Sequence, residues 1–145
     1  MKKLIIILLL SPVFFKAQKQ AYLESNWGIC FNDEEIPVCP GTSFLIGKTM
    51  DFNNGFVDMQ IGLAAPSIVT AKIGIGKYFN EEKNSNISFG VRPWPLHGYA
   101  QFGFDTKEGK SFLLTVEGGT GQEISFYSYG LVTVGFRWDI FKNKK

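Results

Sequence analysis

The chain has 145 residues, a formal net charge of +2, 45% hydrophobic residues and 15% aromatic residues. A length of this size fits one domain. Net charge so close to zero supplies no strongly basic surface, so the composition argues against a nucleic-acid partner.

Residues 1–17 have the organisation of a secretory signal peptide. Lys2 and Lys3 precede an apolar run from Leu4 to Leu10, and Ala17 offers a small residue for cleavage. The run is too short for a membrane helix, so we expect cleavage after Ala17 and export of the remaining 128 residues. The exported part then carries 12 basic and 13 acidic residues, and the basic excess belongs to the leader.

The chain contains two cysteines, Cys30 and Cys39, and both lie in the exported part. In an oxidising compartment a pair at this spacing predicts a disulfide, which stabilises a fold by roughly 2 to 4 kcal/mol. A metal pair would need further cysteine or a neighbouring histidine. The acidic run at 33–35 lacks the glycine-containing frame of a calcium loop, and Gly118–Gly121 lacks the Lys-Ser/Thr of a phosphate loop. We therefore expect no metal and no cofactor.

Behind the leader the apolar residues alternate with polar or small ones, as they do along β-strands. The alternation predicts eight strands, at 21–30, 42–50, 55–65, 68–79, 86–92, 96–105, 110–118 and 123–141. Asp51 to Gly55 is expected to be a turn in which Asn-Gly supplies the positive φ, and Pro93 to Pro95 a turn because proline lacks the N–H of a central strand. Short strands joined by short turns predict an all-β, single up-and-down antiparallel barrel of about eight strands.

The last segment, Glu123 to Phe141, holds its alternation for nearly twenty residues, and we favour one continuous strand there. In an alternative division, residues 128–130 form a turn, residues 18–41 form an arm clipped by the disulfide, and the barrel occupies 42–141. Residues 142–145 are a basic tail in both divisions. In either case one face of this segment is apolar, and we predict that it faces lipid, through Val132, Val134, Phe136, Trp138 and Ile140.

The opposite face of the strands carries balanced charges and many glycines. Because buried charges must be paired, this mixture fits a closed polar interior. We predict an interior charge network of Asp58, Lys72, Arg92, Glu117, Glu123, Arg137 and Asp139. The glycines on that face are expected to make room for long side chains from opposite strands, at Gly62, Gly74, Gly76, Gly90, Gly103 and Gly135.

Aromatic residues fall near the predicted strand ends, as in the interfacial girdles of membrane barrels, at Trp27, Trp94, Trp138, Tyr78, Tyr99 and Tyr129. Alternation alone does not distinguish a lipid-facing exterior from an apolar core. A soluble, periplasmic or secreted lipocalin-like barrel that binds a small apolar ligand is therefore the alternative. In that barrel Val134, Phe136 and Trp138 would line the cavity.

The signal peptide, the alternating strands and the aromatic-rich ending VTVGFRWDIF at 132–141 resemble the small eight-stranded outer-membrane barrels of Gram-negative bacteria. The resemblance implies contact with outer-membrane lipid, handling by the barrel-assembly machinery, and a structural or adhesion-type role. Some barrels of this size modify lipid A. The lipid A deacylases carry a histidine with a serine two residues on, whereas the only histidine here, His97, is followed by Tyr99. We therefore predict no catalytic residue, and expect His97 to cap a strand end or join the interior network.

Overall fold

A computed structural model describes residues 19–31, 38–65, 67–94, 96–106, 109–119 and 129–140. They form eight strands: β1 (Lys19–Phe31), β2 (Val38–Phe52), β3 (Gly55–Ala65), β4 (Ile68–Tyr78), β5 (Ser85–Trp94), β6 (Leu96–Asp105), β7 (Lys110–Gly119) and β8 (Gly130–Asp139). None of the described residues belongs to a helix long and apolar enough to cross a membrane. The signal peptide and the basic tail lie outside these ranges, so both remain predictions.

Each strand pairs antiparallel with its neighbour in the chain, and β8 pairs with β1 to close the barrel. The predicted all-β, up-and-down antiparallel barrel of eight strands is confirmed. Because the strand number is even, the start of β1 and the end of β8 lie at the same end. We call this end the terminal rim; β2, β4 and β6 end there. The opposite end, where β1, β3, β5 and β7 end, is the disulfide rim.

A tight hairpin joins β2 to β3 through Asn53 and Asn54, with Phe52 paired to Gly55. The expected positive φ falls on Asn53, at 49°, and Gly55 is already the first residue of β3. Asparagine tolerates the left-handed region better than other residues with a Cβ, so Asn53 takes the position we expected Gly55 to hold. The predicted turn is therefore correct in place but shorter than expected.

Proline did not end β5 where the sequence suggested. Pro93 and Trp94 belong to the strand, and Trp94 pairs with Ala71 while Val91 pairs with Ile73. One residue of β4 therefore lies opposite two residues of β5, which is a β-bulge. A bulge leaves one residue outside the regular ladder, so Pro93 is accommodated there without a missing donor.

The N-terminal segment is a full barrel strand and not an arm. β1 pairs along its length with β2, and from Tyr22 onward with β8. Cys30 and Cys39 occupy paired positions on β1 and β2 and form the predicted disulfide. β8 begins at Gly130. The expected start of the last strand at Glu123, and Glu123 itself, lie outside the described residues.

Candidate functional site

The two faces of the barrel wall differ sharply in chemistry. Large apolar side chains on the outward face are solvent-exposed, among them Val134 (37%), Phe136 (46%) and Trp138 (40%), and Val132 and Ile140 are exposed with them. Inward side chains are buried and mostly polar or charged, with Asp58 and Lys72 only 1% and 2% exposed. The barrel therefore has an apolar exterior and a polar interior, the reverse of a soluble barrel built around an apolar cavity.

Aromatic residues divide between these faces. Trp27, Trp94 and Trp138 are exposed on the outside, and Tyr129 is exposed at the disulfide rim. Tyr99 is instead buried on the inward face of β6, and the Tyr78 hydroxyl donates a hydrogen bond of 2.9 Å to Asp51. Both tyrosines stand on the inward parity of their strands, so the expectation that they join an outer girdle was wrong.

Glycine makes room for large inward side chains on the neighbouring strand. Tyr22 on β1 pairs with Gly47 on β2, and a Cβ on Gly47 would collide with the tyrosine ring. The same relation holds between paired residues Phe56 and Gly76, and between Asn86 and Gly103. We expected these glycines to receive side chains from opposite strands. They receive them from the adjacent strand, because each glycine is paired directly opposite the larger residue.

One interior group, which we call the Arg137 cluster, consists of Glu24, Asp58 and Arg137 together with Tyr22 and Gln60. Arg137 donates two hydrogen bonds to Glu24 Oε2, of 3.0 Å from Nε and 2.7 Å from Nη2, and a third of 3.0 Å from Nη2 to Asp58 Oδ2. Its guanidinium lies 3.8 Å from the centre of the Tyr22 ring. Asp58 accepts two further hydrogen bonds, one of 2.5 Å from the Tyr22 hydroxyl and one of 2.9 Å from the Gln60 amide. One cation thus holds two buried carboxylates.

The other interior group, the Glu117 cluster, lies nearer the disulfide rim and consists of Lys72, Arg92, His97 and Glu117. Lys72 Nζ and Arg92 Nη2 lie 2.7 Å and 2.9 Å from the same oxygen, Glu117 Oε1. His97 Nδ1 is 3.7 Å from the other oxygen, Oε2. Here Lys72 and Arg92 share one carboxylate. Its cationic excess offsets the acidic excess of the Arg137 cluster, so the six ionised side chains balance across the interior.

Burial limits what these clusters can do chemically. His97 and Glu117 are 2% and 3% exposed, and Glu117 is already engaged by two cations. A histidine next to a carboxylate is a catalytic arrangement only if a substrate can reach it. Within the described residues there is no group of three or more side chains suited to hold a metal ion. The arrangement is suited to pairing charges and filling space.

A small polar pocket, which we call the mouth pocket, opens at the terminal rim. It has a volume of about 150 Å³, and Tyr22, Tyr78 and Arg137 lie in its wall with Asp105 and Asp139. Binding sites for small molecules usually measure about 300 to 1,000 Å³, so this mouth is too small for a lipid or sugar substrate.

The structure brings together five of the seven residues predicted for the charge network, in two separate clusters. They are Asp58 and Arg137 in one, and Lys72, Arg92 and Glu117 in the other. Asp139 lies further out, in the wall of the mouth pocket. Sequence reasoning missed Glu24, the main partner of Arg137, although Glu24 shares its strand face with Tyr22 and Asn26. That shared parity was the signal that could have identified it.

Comparison with known proteins found no matching family model, no significantly similar curated protein and no significantly similar solved structure.

Proposed function

We propose that this protein is an outer-membrane β-barrel with a structural or adhesion-type, non-catalytic role and a lumen filled by polar side chains. The observation that carries the proposal is the apolar exterior. In water, an exposed apolar surface of this extent would cost much free energy, whereas in a bilayer it is the surface that lipid chains solvate.

The closed hydrogen-bond ladder supports insertion as well. A strand that crosses a bilayer needs every backbone group paired, and closure from β8 back to β1 leaves no sheet edge. The strands have 10 to 15 residues, which is long enough to cross the hydrocarbon core when tilted. Passage through the barrel-assembly machinery follows from this proposal.

The paired interior supports a role without transport. Two layers of ion pairs and tyrosines fill the lumen, at the Arg137 cluster and at the Glu117 cluster. An eight-stranded barrel packed in this way is a solid core rather than a pore. Burial of His97 argues in the same way against an enzyme that acts on lipid A.

The lipocalin-like alternative requires an apolar interior, whereas most of the buried inward side chains are polar or charged. The side chains that would line such a cavity, Val134, Phe136 and Trp138, point outward. No other observation favours that function.

Cell fractionation tests the proposal. The full chain is expressed with its leader, and membranes are extracted with alkaline carbonate and run on a gel with and without boiling. We expect retention in the outer membrane and a faster-migrating band without boiling, because the closed barrel resists the detergent until heated. Release into the soluble fraction would reject the proposal and favour the lipocalin-like alternative.

A further inference from the structure

An apolar groove of about 440 Å³ runs down the outer wall from the hairpin at the terminal rim. Its walls come from β2, β4, β5 and the first residue of β3, Gly55, and the hairpin residues Asn53 and Asn54 lie at its end. The apolar side chains that line it are Phe52, Ile75, Ile87 and Phe89. Three of them are about half exposed, Phe52 at 46%, Ile75 at 59% and Phe89 at 55%. The groove is thus open along its length to whatever surrounds the barrel.

One cation lies in this apolar groove. Lys77 is the penultimate residue of β4, points outward and lines the groove, and the described residues that line it include no acidic residue. A lysine at the edge of an apolar surface extends its stem along that surface and keeps its ammonium group at the polar boundary. The groove therefore combines a long apolar trough with a positive charge at one end.

The distribution of charge over the whole wall favours an anionic occupant. Every carboxylate of the described strands stands on the inward parity, from Glu24 on β1 to Asp139 on β8. The outward parity carries Lys48, Lys77 and Lys110, all in the half of the strand nearest the terminal rim. An anion on the outer wall at this rim therefore meets cations and no carboxylate from a described strand; the exposed Glu81 and Glu82 lie beyond the end of β4, in its connection to β5.

We propose that this groove binds one anionic phospholipid, with an acyl chain along Phe52, Ile75, Ile87 and Phe89 and the headgroup phosphate at Lys77. The inference rests on the proposed membrane location and names a lipid site within it. A single trough with a single lysine matches one of the two acyl chains and the one phosphodiester of a phospholipid. A lipid with several chains and two phosphates would need a broader surface and more cations. Near a membrane surface each lysine contributes roughly 1 kcal/mol of attraction to anionic lipid.

The test is native mass spectrometry of the folded, detergent-solubilised protein, titrated with phosphatidylglycerol or with phosphatidylcholine of the same acyl chains. We expect the wild-type protein to bind phosphatidylglycerol about fivefold more tightly, which is the factor that corresponds to one lysine. Lys77→Gln should remove that preference. Lys48→Gln is the matched control, because Lys48 is an exposed outward lysine on β2 that does not line the groove, and it should keep the preference.

A second variant tests the acyl trough. Ile75→Trp adds volume in the groove without changing charge, and should weaken binding of both lipids by a similar factor. Equal affinity of the wild-type protein for the two lipids, or equal effects of Lys77→Gln and Lys48→Gln, would overturn the site. The same titration is run with lipid A. If lipid A bound more tightly than phosphatidylglycerol and Lys77→Gln removed that binding, the choice of lipid would be overturned. Lipid binding is measured only with protein that shows the heat-modifiable band. Failure of the barrel proposal, which would remove that band, is therefore distinguishable from failure of the lipid site.

Discussion

Arg137 shows at the scale of one residue why the interior cannot be varied freely. Its guanidinium bonds both Glu24 and Asp58, which come from strands β1 and β3. Arg137→Leu removes the cation and leaves two buried carboxylates close together. Breaking a buried pair in this way costs about 3 to 5 kcal/mol. We expect that loss in the free energy of unfolding, measured by urea titration in detergent micelles with the heat-modifiable band as the readout.

Two further variants separate charge from geometry in this experiment. Arg137→Lys keeps the charge but loses the planar fork, so its stability should fall between those of the wild type and Arg137→Leu. Phe136→Leu changes the adjacent residue on the outward face and should have little effect. If Arg137→Leu proved as stable as Phe136→Leu, the carboxylates would not depend on Arg137, and the ion-paired interior would be wrong.

At the scale of strands, the pairing of β3 with β4 depends on a missing side chain. Phe56 lies opposite Gly76, and a Cβ on Gly76 would collide with the phenyl ring. Gly76→Ala therefore overpacks the wall, and we expect a loss of about 1 to 3 kcal/mol in the same unfolding assay. Adding Phe56→Leu should recover part of the loss, because the smaller side chain vacates the position that the new methyl group needs.

Gly98→Ala is the matched control for this strand-pairing effect. Gly98 is exposed on β6, and the nearest atom to an added Cβ is a backbone oxygen at 3.9 Å. Its substitution should change stability by no more than about 0.5 kcal/mol. Equal losses for Gly76→Ala and Gly98→Ala would point to a general cost of replacing glycine rather than to the contact with Phe56.

The strands and their faces could be predicted because a period of two is a local property. Each side chain's parity, from Val57 to Trp138, follows from its immediate neighbours in the sequence. The height of a residue along the barrel axis is not local. It depends on the stagger between strands, which brings Arg137 to Glu24 across 113 positions of sequence. The predicted network consequently contained five of the six charged residues of the two clusters, but neither their separation into two groups nor Glu24.

Local rules also failed where the ladder is irregular. The sequence predicts a strand break at Pro93, but β5 continues through Pro93 because this residue lies in the bulge opposite Lys72. Tyr99 was read as an interfacial aromatic because it lies near a predicted strand end. Its hydroxyl instead points towards Gly74, two strands away, where the absence of a side chain leaves room for it. The bulge depends on the neighbouring strand β4, about which the local sequence carries no information, whereas the inward orientation of Tyr99 follows from its parity along β6.

At the scale of the whole molecule, the two charge clusters form successive layers that obstruct the barrel axis. Tyr22 is 1% exposed and adds bulk within the Arg137 cluster, and Tyr99 is 5% exposed and adds bulk beside Lys72 of the Glu117 cluster. Ions would have to displace charge-paired side chains in order to pass. We therefore expect the folded protein, reconstituted in a planar lipid bilayer, to insert without giving steady ionic current.

The corresponding positive control opens the same lumen. Tyr22→Ala with Tyr99→Ala removes two large inward rings while keeping all six ionised residues of the two clusters. After the heat-modifiable band has shown that this variant folds, it should pass small, flickering currents where the wild type passes none. Steady conductance by the wild-type protein would contradict the side-chain-filled lumen and favour a channel. Absence of current in both proteins would mean that the two rings are not needed to seal the barrel, and that the ion pairs and the other inward side chains shared by both proteins suffice.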